Sequence, residues 1–186
     1  MVIEGIDYSL TCPAICVHDT AEGKFNFDNT RFYFRSNLQR FDKYHENRIS
    51  GENHESWKTE EDRYDDIANW ALNILTKSGV DKVWLEGYSY GSTGKVFHIA
   101  ENTAILKYFM WDSEINFDIV PPTVIKKFAT GKGNANKELM HESFIEENSH
   151  VDLRAWLTPR SANVISPVGD IVDSYFIAKY GLSLVV

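Results

Sequence analysis

Residues 2–9 read Val-Ile-Glu-Gly-Ile-Asp-Tyr-Ser. The apolar residues of this stretch predict a buried β-strand, and Asp7 stands at its carboxyl end. A buried aspartate is costly unless it is paired, hydrogen-bonded or bound to a metal ion. Asp7 therefore has two interpretations. It either caps a turn together with Ser9, which is a common role of aspartate, or belongs to a functional site.

The same pattern recurs at Val83-Trp-Leu-Glu-Gly87. Glu86 closes a second short apolar strand in the way that Asp7 closes the first. Open α/β sheets bind their ligands at the carboxyl ends of the strands. The two acids are therefore predicted to lie at one edge of the sheet, where a ligand would bind.

Two further acids, Asp170 and Asp173, stand three residues apart near the end of the chain. The apolar residues around them predict a helix over about 169–180 that packs on the sheet. A spacing of three places both carboxylates on one helix face, with Cβ atoms about 5–6 Å apart. The alternative is that they only interact favourably with the helix dipole in the first turn. Asp173 fits this alternative less well, because its neighbours are apolar.

The order of the predicted elements indicates an α/β fold. Strands over about 14–18 and 24–35, the second with a break at 28–30, are expected to pair antiparallel with the first strand. Helices and short strands then alternate, which predicts a mixed central sheet of three antiparallel strands followed by shorter parallel strands, flanked by helices. The 186 residues are expected to form one domain over 1–186. The polar stretch of about 36–57 has no periodicity and is predicted to be an exposed loop.

Several helix limits are marked by their residue types. Thr59 is a predicted N-cap followed by three acidic residues, and Gly79 is a predicted stop. The later helices are expected over about 95–110, 123–128 and 136–147.

Composition excludes several classes of protein. The formal charge of −8 argues against general adhesion to nucleic acid. No run approaches the roughly 18 apolar residues of a membrane span, and the N-terminus lacks the features of a signal peptide. A cytoplasmic protein is expected, in the host cytoplasm if the source is viral. The two cysteines, Cys12 and Cys16, provide no disulfide framework or four-ligand zinc site and are interpreted as core residues.

Four acids that converged without partner cations would repel one another and raise each other's pKa. A pair of Mg²⁺ or Mn²⁺ ions removes this conflict, because hard cations prefer carboxylate oxygens. Two such ions about 3.5–4 Å apart stabilise the attacking and leaving oxygens of an in-line phosphoryl displacement. The predicted catalytic residues and metal ligands are Asp7, Glu86, Asp170 and Asp173.

The order of these acids resembles the RNase H-like nucleases, and more closely the RuvC-type Holliday junction resolvases. Residues 122–137 (Pro-Thr-Val-Ile-Lys-Lys-Phe-Ala-Thr-Gly-Lys-Gly-Asn-Ala-Asn-Lys) are similar to the stretch where those resolvases carry a proline, a lysine-bearing helix, a Gly-Lys-Gly turn and a further lysine. Residues 5–9 and 170–178 match the two ends of the family's pattern. The resemblance covers most of the chain apart from 36–57.

This resemblance implies an RNase H-like fold and a Mg²⁺- or Mn²⁺-dependent endonuclease with two ions per active site. Two subunits of a homodimer would bind a four-way DNA junction and nick two strands of like polarity symmetrically, leaving 5′-phosphate and 3′-hydroxyl ends. The helices at 60–77 and 95–110 are candidate dimer surfaces, because they carry more aromatic residues than one core needs. The acidic, aromatic-rich sequence looks like a phage member of the family.

The stretch 122–138 has a local charge of +3 within an acidic chain. Its lysines are predicted to contact DNA phosphates, which positions a branched DNA without reading its sequence; a solvated helix face is the alternative. Lys132 lies between two glycines, where backbone amides can approach a phosphate closely. The predicted DNA-binding lysines are Lys126, Lys127, Lys132 and Lys137, and Arg160 is a weaker candidate.

The turn at 87–94 allows two further interpretations. Strand, glycine-rich loop, Gly-Lys and helix is the layout of a nucleotide-binding P-loop. Ser89 occupies the first glycine position, however, and Val96 replaces the hydroxyl residue that would bind Mg²⁺, so no nucleotide cofactor is expected. In a resolvase the turn would face DNA, with Tyr88 and Tyr90 stacking on exposed bases; otherwise these tyrosines pack on the domain.

Three other functions use similar residues. A ribonuclease H or transposase-like nuclease would carry the same acids, but segment 122–137 favours a resolvase. A catalytically inactive branched-DNA-binding protein need not retain all four acids. Sugar kinases and actin-like ATPases also begin with a strand-end aspartate, but they need two such domains.

Overall fold

The computed structural model of the chain describes residues 1–87 and 96–185. Their strands are β1 (Val2–Asp7), β2 (Ala14–Asp19), β3 (Thr30–Ser36), β4 (Tyr44–Glu46), β5 (Ile49–Asn53), β6 (Lys82–Glu86) and β7 (Phe117–Val120). Their helices are α1 (Glu60–Ser78), α2 (Val96–Asp112), α3 (Pro122–Thr130), α4 (Lys137–Glu147), α5 (Leu153–Leu157) and α6 (Val168–Ser183). Within these residues, no helix is both long enough and apolar enough to cross a membrane.

One mixed sheet organises the described residues, in the order β4-β5-β3-β2-β1-β6-β7. The strands β1, β2 and β3 pair antiparallel, and β6 and β7 follow in parallel to β1. The predicted α/β fold with its mixed central sheet is therefore confirmed. The strand β1 lies inside the sheet, between β2 and β6, so its carboxyl end is flanked on both sides.

Helices cover both faces of this sheet. The first face packs on α1 and α2, through side chains such as Ile67, Leu75 and Leu106 against Ile6 and Leu85. The second face packs on α3 to α6, and its core includes Trp84, Ile125 and Phe176. Because side chains alternate along a strand, Ile3, Gly5 and Asp7 of β1 face α6, whereas Glu4 and Ile6 face α1.

The helix α6 lies unusually close to β1. A Cβ atom at Gly5 would overlap the backbone nitrogen of Ala178 and the carbonyl oxygen of Ser174. At the far end of the helix, a Cβ at Gly181 would overlap the ring of Trp84 on β6. The two glycines therefore allow the helix backbone to rest directly on the two central parallel strands.

Both predicted limits of α1 are confirmed. The side chain of Thr59 accepts a hydrogen bond from the backbone N–H of Asp62, and the Asp62 carboxylate accepts one from the Thr59 N–H. Gly79 adopts a left-handed conformation, with φ of 66°, which ends the helix.

The prediction of an exposed loop over 36–57 is wrong for much of its length. Residues 44–53 form the hairpin β4–β5, and β5 pairs in parallel with β3. The alternation signal is missing because Ile49 is the only large apolar side chain on β5; Gly51 sits beneath the Phe34 ring, where a larger residue would collide. The turn between the strands uses left-handed Asn47 and Arg48.

The second predicted strand is also shorter than expected. The structure begins β3 at Thr30, whereas residues 27–29 form a single 3-10 turn capped by the Asn26 side chain. Phe27 is buried there, and its N–H donates to the Asn148 side chain at 3.0 Å. The alternation of apolar and polar residues around Phe27 is typical of a strand. The Asn26 cap and the hydrogen bond to Asn148 nevertheless hold Phe27 in a turn.

Substituting Gly5 by alanine is expected to destabilise the protein by about 3 kcal/mol, because backbone atoms of α6 cannot move away from a new methyl group without lifting the helix. Chemical denaturation monitored by circular dichroism measures this change. Gly133→Ala is the matched control, since its new Cβ would lie 3.3 Å from its nearest neighbour, the Thr123 carbonyl oxygen. Equal stability of the two variants would contradict the close approach of α6 and β1.

Candidate active site

The carboxyl ends of two neighbouring parallel strands place two acids side by side. Asp7 is the last residue of β1 and Glu86 is the last residue of β6. The register of the strands pairs Ile6 with Leu85, so the acids stand one position beyond this pair. By the alternation of side chains, both acids point to the face on which α6 packs.

The helix α6 brings the other two acids to the same place. Asp170 lies in its first turn and Asp173 follows three residues later. The Asp170 side chain is buried, whereas Asp7, Glu86 and Asp173 are partly accessible. Three of the carboxylates, Glu86, Asp170 and Asp173, are close enough to Asp7 to shift its protonation. The structure thus brings the four predicted acids together.

Burial and mutual repulsion act on these carboxyl groups in the same direction. Burial, followed by the negative charges of Glu86, Asp170 and Asp173, raises the pKa of Asp7 well above its ordinary value. Burial and Asp173 raise the pKa of Glu86 to about 8, and burial raises the pKa of Asp173 to about 6. Without a further cation, the cluster therefore holds protons at neutral pH.

Two lysines partly offset the negative charge. Lys137, at the start of α4, donates a hydrogen bond from Nζ to Asp170 Oδ1 at 3.3 Å. Its side chain runs past Gly169, where a Cβ atom would lie 2.9 Å from Lys137 Cδ. Burial lowers the pKa of Lys137, but the carboxylates of Asp170, Asp173 and Asp7 outweigh this and raise it overall. Lys126 of α3 lowers the pKa of Glu86 and of Asp173.

The donor set fits hard divalent cations. Asp170 Oδ2 is buried and has no hydrogen-bond partner within residues 1–87 and 96–185. Within the described residues, Lys126 and Lys137 are the lysines that offset the four carboxylates, which leaves negative charge that a divalent ion would neutralise. In the same described residues, however, no three His, Cys, Asp or Glu side chains stand in an arrangement that would bind one ion.

An open cleft of about 510 Å³ leads to the acids. Its floor is the strand ends, with Asp7, Glu86 and the residues 8–11 that follow β1. Asp173 and Lys126 line it from the α3–α6 side of the sheet, and Arg63 and His98 line it from the α1–α2 side. The cleft is thus built from both faces of the sheet.

The other predicted site residues lie at different positions. Lys127 and Lys132 are exposed on α3 and the turn after it, close in sequence to Lys126. Arg160 is exposed in the turn between α5 and α6 and is not among the residues that line the cleft. Tyr88 and Tyr90, and most of the turn compared with a P-loop, lie outside the described residues.

Sequence reasoning missed several residues of the site. Cys12 is buried beside the acids, and its pKa is raised by burial and then by the charge of Asp170. Glu60, Arg63 and His98 line the cleft from α1 and α2. Lys137 was predicted to contact DNA phosphates, whereas the structure pairs it with Asp170. The Lys137 side chain lies beside Gly169. This contact exists only when α4 and α6 are packed together, so the sequence alone does not reveal the pairing with Asp170.

Several solved structures share this architecture, among them proteins that resolve or bind Holliday junctions. The chain is similar to Thermus thermophilus RuvC in complex with a Holliday junction substrate, with 15% identity, a TM-score of 0.62, and 99% of this chain and 96% of that chain covered. It is also similar to the fowlpox virus resolvase in a complex with Holliday junction DNA, with 15% identity, a TM-score of 0.56, and coverage of 100% and 99%. For the yeast mitochondrial Holliday junction resolvase Ydc2 the identity is 14%, the TM-score 0.56, and the coverage 95% and 75%.

No protein-family model matches the chain, and no curated protein matches it. The likeness therefore rests on structure, and it extends over nearly the whole chain. At such low identity it establishes the fold. The chain has the RNase H-like fold in its RuvC-type form, which confirms the resemblance predicted from the sequence.

Magnesium is expected to stabilise the protein more as pH rises. A carboxyl group whose pKa is higher in the folded chain contributes stability below its ordinary pKa and loses it as pH rises through the folded value. The metal-free protein should therefore lose stability between about pH 4 and about pH 8, the range set by Asp173 and Glu86. Mg²⁺ binds the ionised carboxylates, so it should raise Tm by at least about 3 °C at the upper end of this range and less at the lower end. Thermal unfolding in Mg²⁺ and in EDTA measures the difference.

Glu4 provides the matched control for this experiment. Burial also raises the pKa of Glu4 to about 8, but this residue faces α1, where Ser78 Oγ donates a hydrogen bond to it. Glu4→Gln should flatten the pH dependence in EDTA and leave the Mg²⁺ effect intact, whereas Asp173→Asn should diminish the Mg²⁺ effect. Two results would argue against a metal site among the four acids. One is a rise of Tm in Mg²⁺ that is the same at the two ends of the pH range, and the other is a rise that is undiminished in Asp173→Asn.

Proposed function

We propose that the protein is a divalent-metal-dependent endonuclease that resolves four-way DNA junctions. The observation that carries this proposal is the meeting of four carboxylates at the carboxyl ends of β1 and β6, in a chain with the RuvC-type fold. Two of the similar structures contain Holliday junction DNA, which supports branched DNA as the substrate. Phage origin and a cytoplasmic location remain predictions from the sequence.

In this proposal Asp7, Glu86, Asp170 and Asp173 would together hold two Mg²⁺ or Mn²⁺ ions. When bound, such a pair of ions activates the water nucleophile and stabilises the leaving 3′ oxygen. The role of the chain is to hold the ligands in place: β1 and β6 fix Asp7 and Glu86, and α6 fixes the other two. Lys137 restrains Asp170 through its hydrogen bond and lowers the pKa of Asp7, Glu86 and Asp173, which favours the ionised, ligating forms.

We further propose that the protein acts as a homodimer, because two symmetric nicks need two active sites. The structure supports α2 over α1 as the contact surface. Phe97 and Trp111 on α2 are 79% and 70% exposed, and Tyr108 is exposed beside Trp111. The aromatic residue that drew attention to α1, Trp70, is instead buried in the core. Exposed aromatic side chains of this size are enriched at protein interfaces.

Cleavage of a synthetic four-way junction in Mg²⁺ tests the proposal. The wild-type protein should release paired nicks at symmetric positions with ends that can be ligated. Asp7→Asn should bind the junction but cleave it at least about 100-fold more slowly, because a carboxylate that would hold the metal ions is lost. Denaturing gel electrophoresis of end-labelled strands and a binding assay in Ca²⁺ give the two readouts.

Glu4→Gln is the matched control for Asp7→Asn, since it makes the same kind of change on the opposite face of the same strand and should leave cleavage unchanged. Wild-type protein that ignores junctions and cuts RNA–DNA hybrids would favour a ribonuclease H. Binding without cleavage by the wild type in either Mg²⁺ or Mn²⁺ would favour an inactive branched-DNA-binding protein. Equal nicking by Asp7→Asn and wild type would remove Asp7 from the site.

The exposed lysines of segment 122–137 should contribute sequence-independent affinity. Each lost phosphate contact is expected to reduce the slope of log K against log salt by about 0.9, so Lys132→Gln should lower the slope by about that amount. Lys77→Gln is the matched control, because Lys77 is also exposed but lies about 20 Å along α1 from the cleft residue Arg63. Titrations of junction binding at several salt concentrations measure both slopes. Equal slopes in the two variants would place Lys132 off the DNA path.

A further inference from the structure

A positively charged side chain lines the cleft from the face of the sheet where the sequence predicts no DNA-binding lysine. Every lysine of segment 122–137 lies on or before α4, on the α3–α6 face of the sheet. Arg63 comes from the first turns of α1, on the opposite face, and lines the same cleft as Asp7 and Lys126. Among the described residues that line the cleft, Arg63 and Lys126 are the two with permanent positive charge.

Several contacts hold the Arg63 guanidinium in place. Its Nη2 donates to the carbonyl oxygen of Leu10 at 2.8 Å, which ties it to the segment after β1. The guanidinium carbon lies 4.7 Å from the ring centroid of Trp57, within cation–π range. The Arg63 side chain is only 14% exposed. A cation fixed in this way reaches the cleft with little conformational entropy left to lose on binding.

The contact between Arg63 and Glu60 is weaker than the others. Arg63 Nη1 lies 3.5 Å from Glu60 Oε2, at the limit of a hydrogen bond, and the Glu60 side chain is 44% exposed. Glu60 also lines the cleft. An arginine prefers the bidentate, charge-assisted contact of a phosphate to a long contact with a solvated carboxylate. The pair is thus arranged so that Glu60 competes with an incoming anion for one side of the guanidinium.

We propose that Arg63 binds a backbone phosphate of the DNA strand that enters the cleft, opposite Lys126, and that Glu60 is displaced when the strand binds. This inference rests on the proposed function, because it assumes a nucleic-acid substrate. Four carboxylates repel a polyanion, so a strand that approaches them needs cations on both sides of its path. Lys126 supplies one side from α3, and Arg63 supplies the other from α1. Arg63 is then a positioning residue, separate from the metal ligands.

Opposite effects of two substitutions test the proposal. With a synthetic four-way junction in Ca²⁺, Arg63→Gln should weaken binding about 10-fold, as the loss of one charge-assisted hydrogen bond predicts. The same variant should lower the slope of log K against log salt by about 0.9. Glu60→Gln should tighten binding about 2- to 3-fold at low salt, since it removes the competing carboxylate. If Arg63 acts in folding alone, Glu60→Gln should tighten binding no more than the removal of another carboxylate close by.

Two matched controls separate local contacts from general effects. Arg40 also stacks on an aromatic ring, 4.6 Å from the centroid of Phe41, and does not line the cleft, so Arg40→Gln should not change affinity. Glu61 is the neighbour of Glu60 on α1 but does not line the cleft. Glu61→Gln changes the net charge by the same amount as Glu60→Gln and should tighten binding less. Thermal unfolding of each variant verifies that it is folded. Arg63→Lys, which keeps the charge but not the planar fork, should recover only part of the lost affinity.

The outcomes distinguish this inference from the proposed function. If wild-type protein fails to bind junctions, the proposed function fails and Arg63 loses its substrate. If wild type binds and cleaves, but folded Arg63→Gln keeps full affinity and salt slope, only the inference about Arg63 is overturned. It is also overturned if Glu60→Gln and Glu61→Gln change affinity equally, because the effect is then one of total charge.

Discussion

The close contact between the backbone of α6 and β1 is the constraint on which the site depends. Gly5 has no side chain, so α6 rests on the strand at the point where a Cβ would meet Ala178 and Ser174. This contact places the first turns of α6 over the carboxyl end of β1, two residues beyond Gly5. Asp170 and Asp173 therefore reach Asp7 because of a packing contact made farther along the helix. A larger residue at Gly5 would separate the acids even if every one of them were retained.

The same packing creates an electrostatic conflict that the chain resolves only in part. Burial, and after it mutual repulsion, raises the pKa of the clustered acids, and Lys137 and Lys126 reduce this effect without removing it. Lys137 has a double role. It is the partner of Asp170 when no ion is present, and it favours the ionised carboxylates that an ion needs. A chain with a cation for every acid would be more stable but would have no reason to bind a metal.

The sequence predicts those parts of the molecule that are encoded by nearby residues. Strand-end acids, the Thr59 cap, the Gly79 stop and the spacing of Asp170 and Asp173 are local patterns, and the structure has each of these features where the sequence placed it. The strand β5 could not be predicted, because a single buried isoleucine produces no alternation of apolar and polar residues. The place of Arg63 in the cleft could not be predicted, because nothing in the sequence of α1 shows that its first turns border the ends of β1 and β6. The contacts of Lys137 were hidden for the same reason: they depend on how α4 packs against α6.

The strand β1 shows why a shifted pKa alone does not identify the site. Glu4 and Asp7 are three residues apart on opposite faces, and burial raises the pKa of both. Glu4 is fully buried, accepts a hydrogen bond from Ser78 and does not line the cleft, and burial is what raises its pKa. Asp7 opens onto a cleft and is surrounded by three other carboxylates, so protonation of one acid leaves the others in conflict. Shared repulsion combined with access from solvent, rather than burial, is what distinguishes a site that needs divalent ions from an acid that is merely buried.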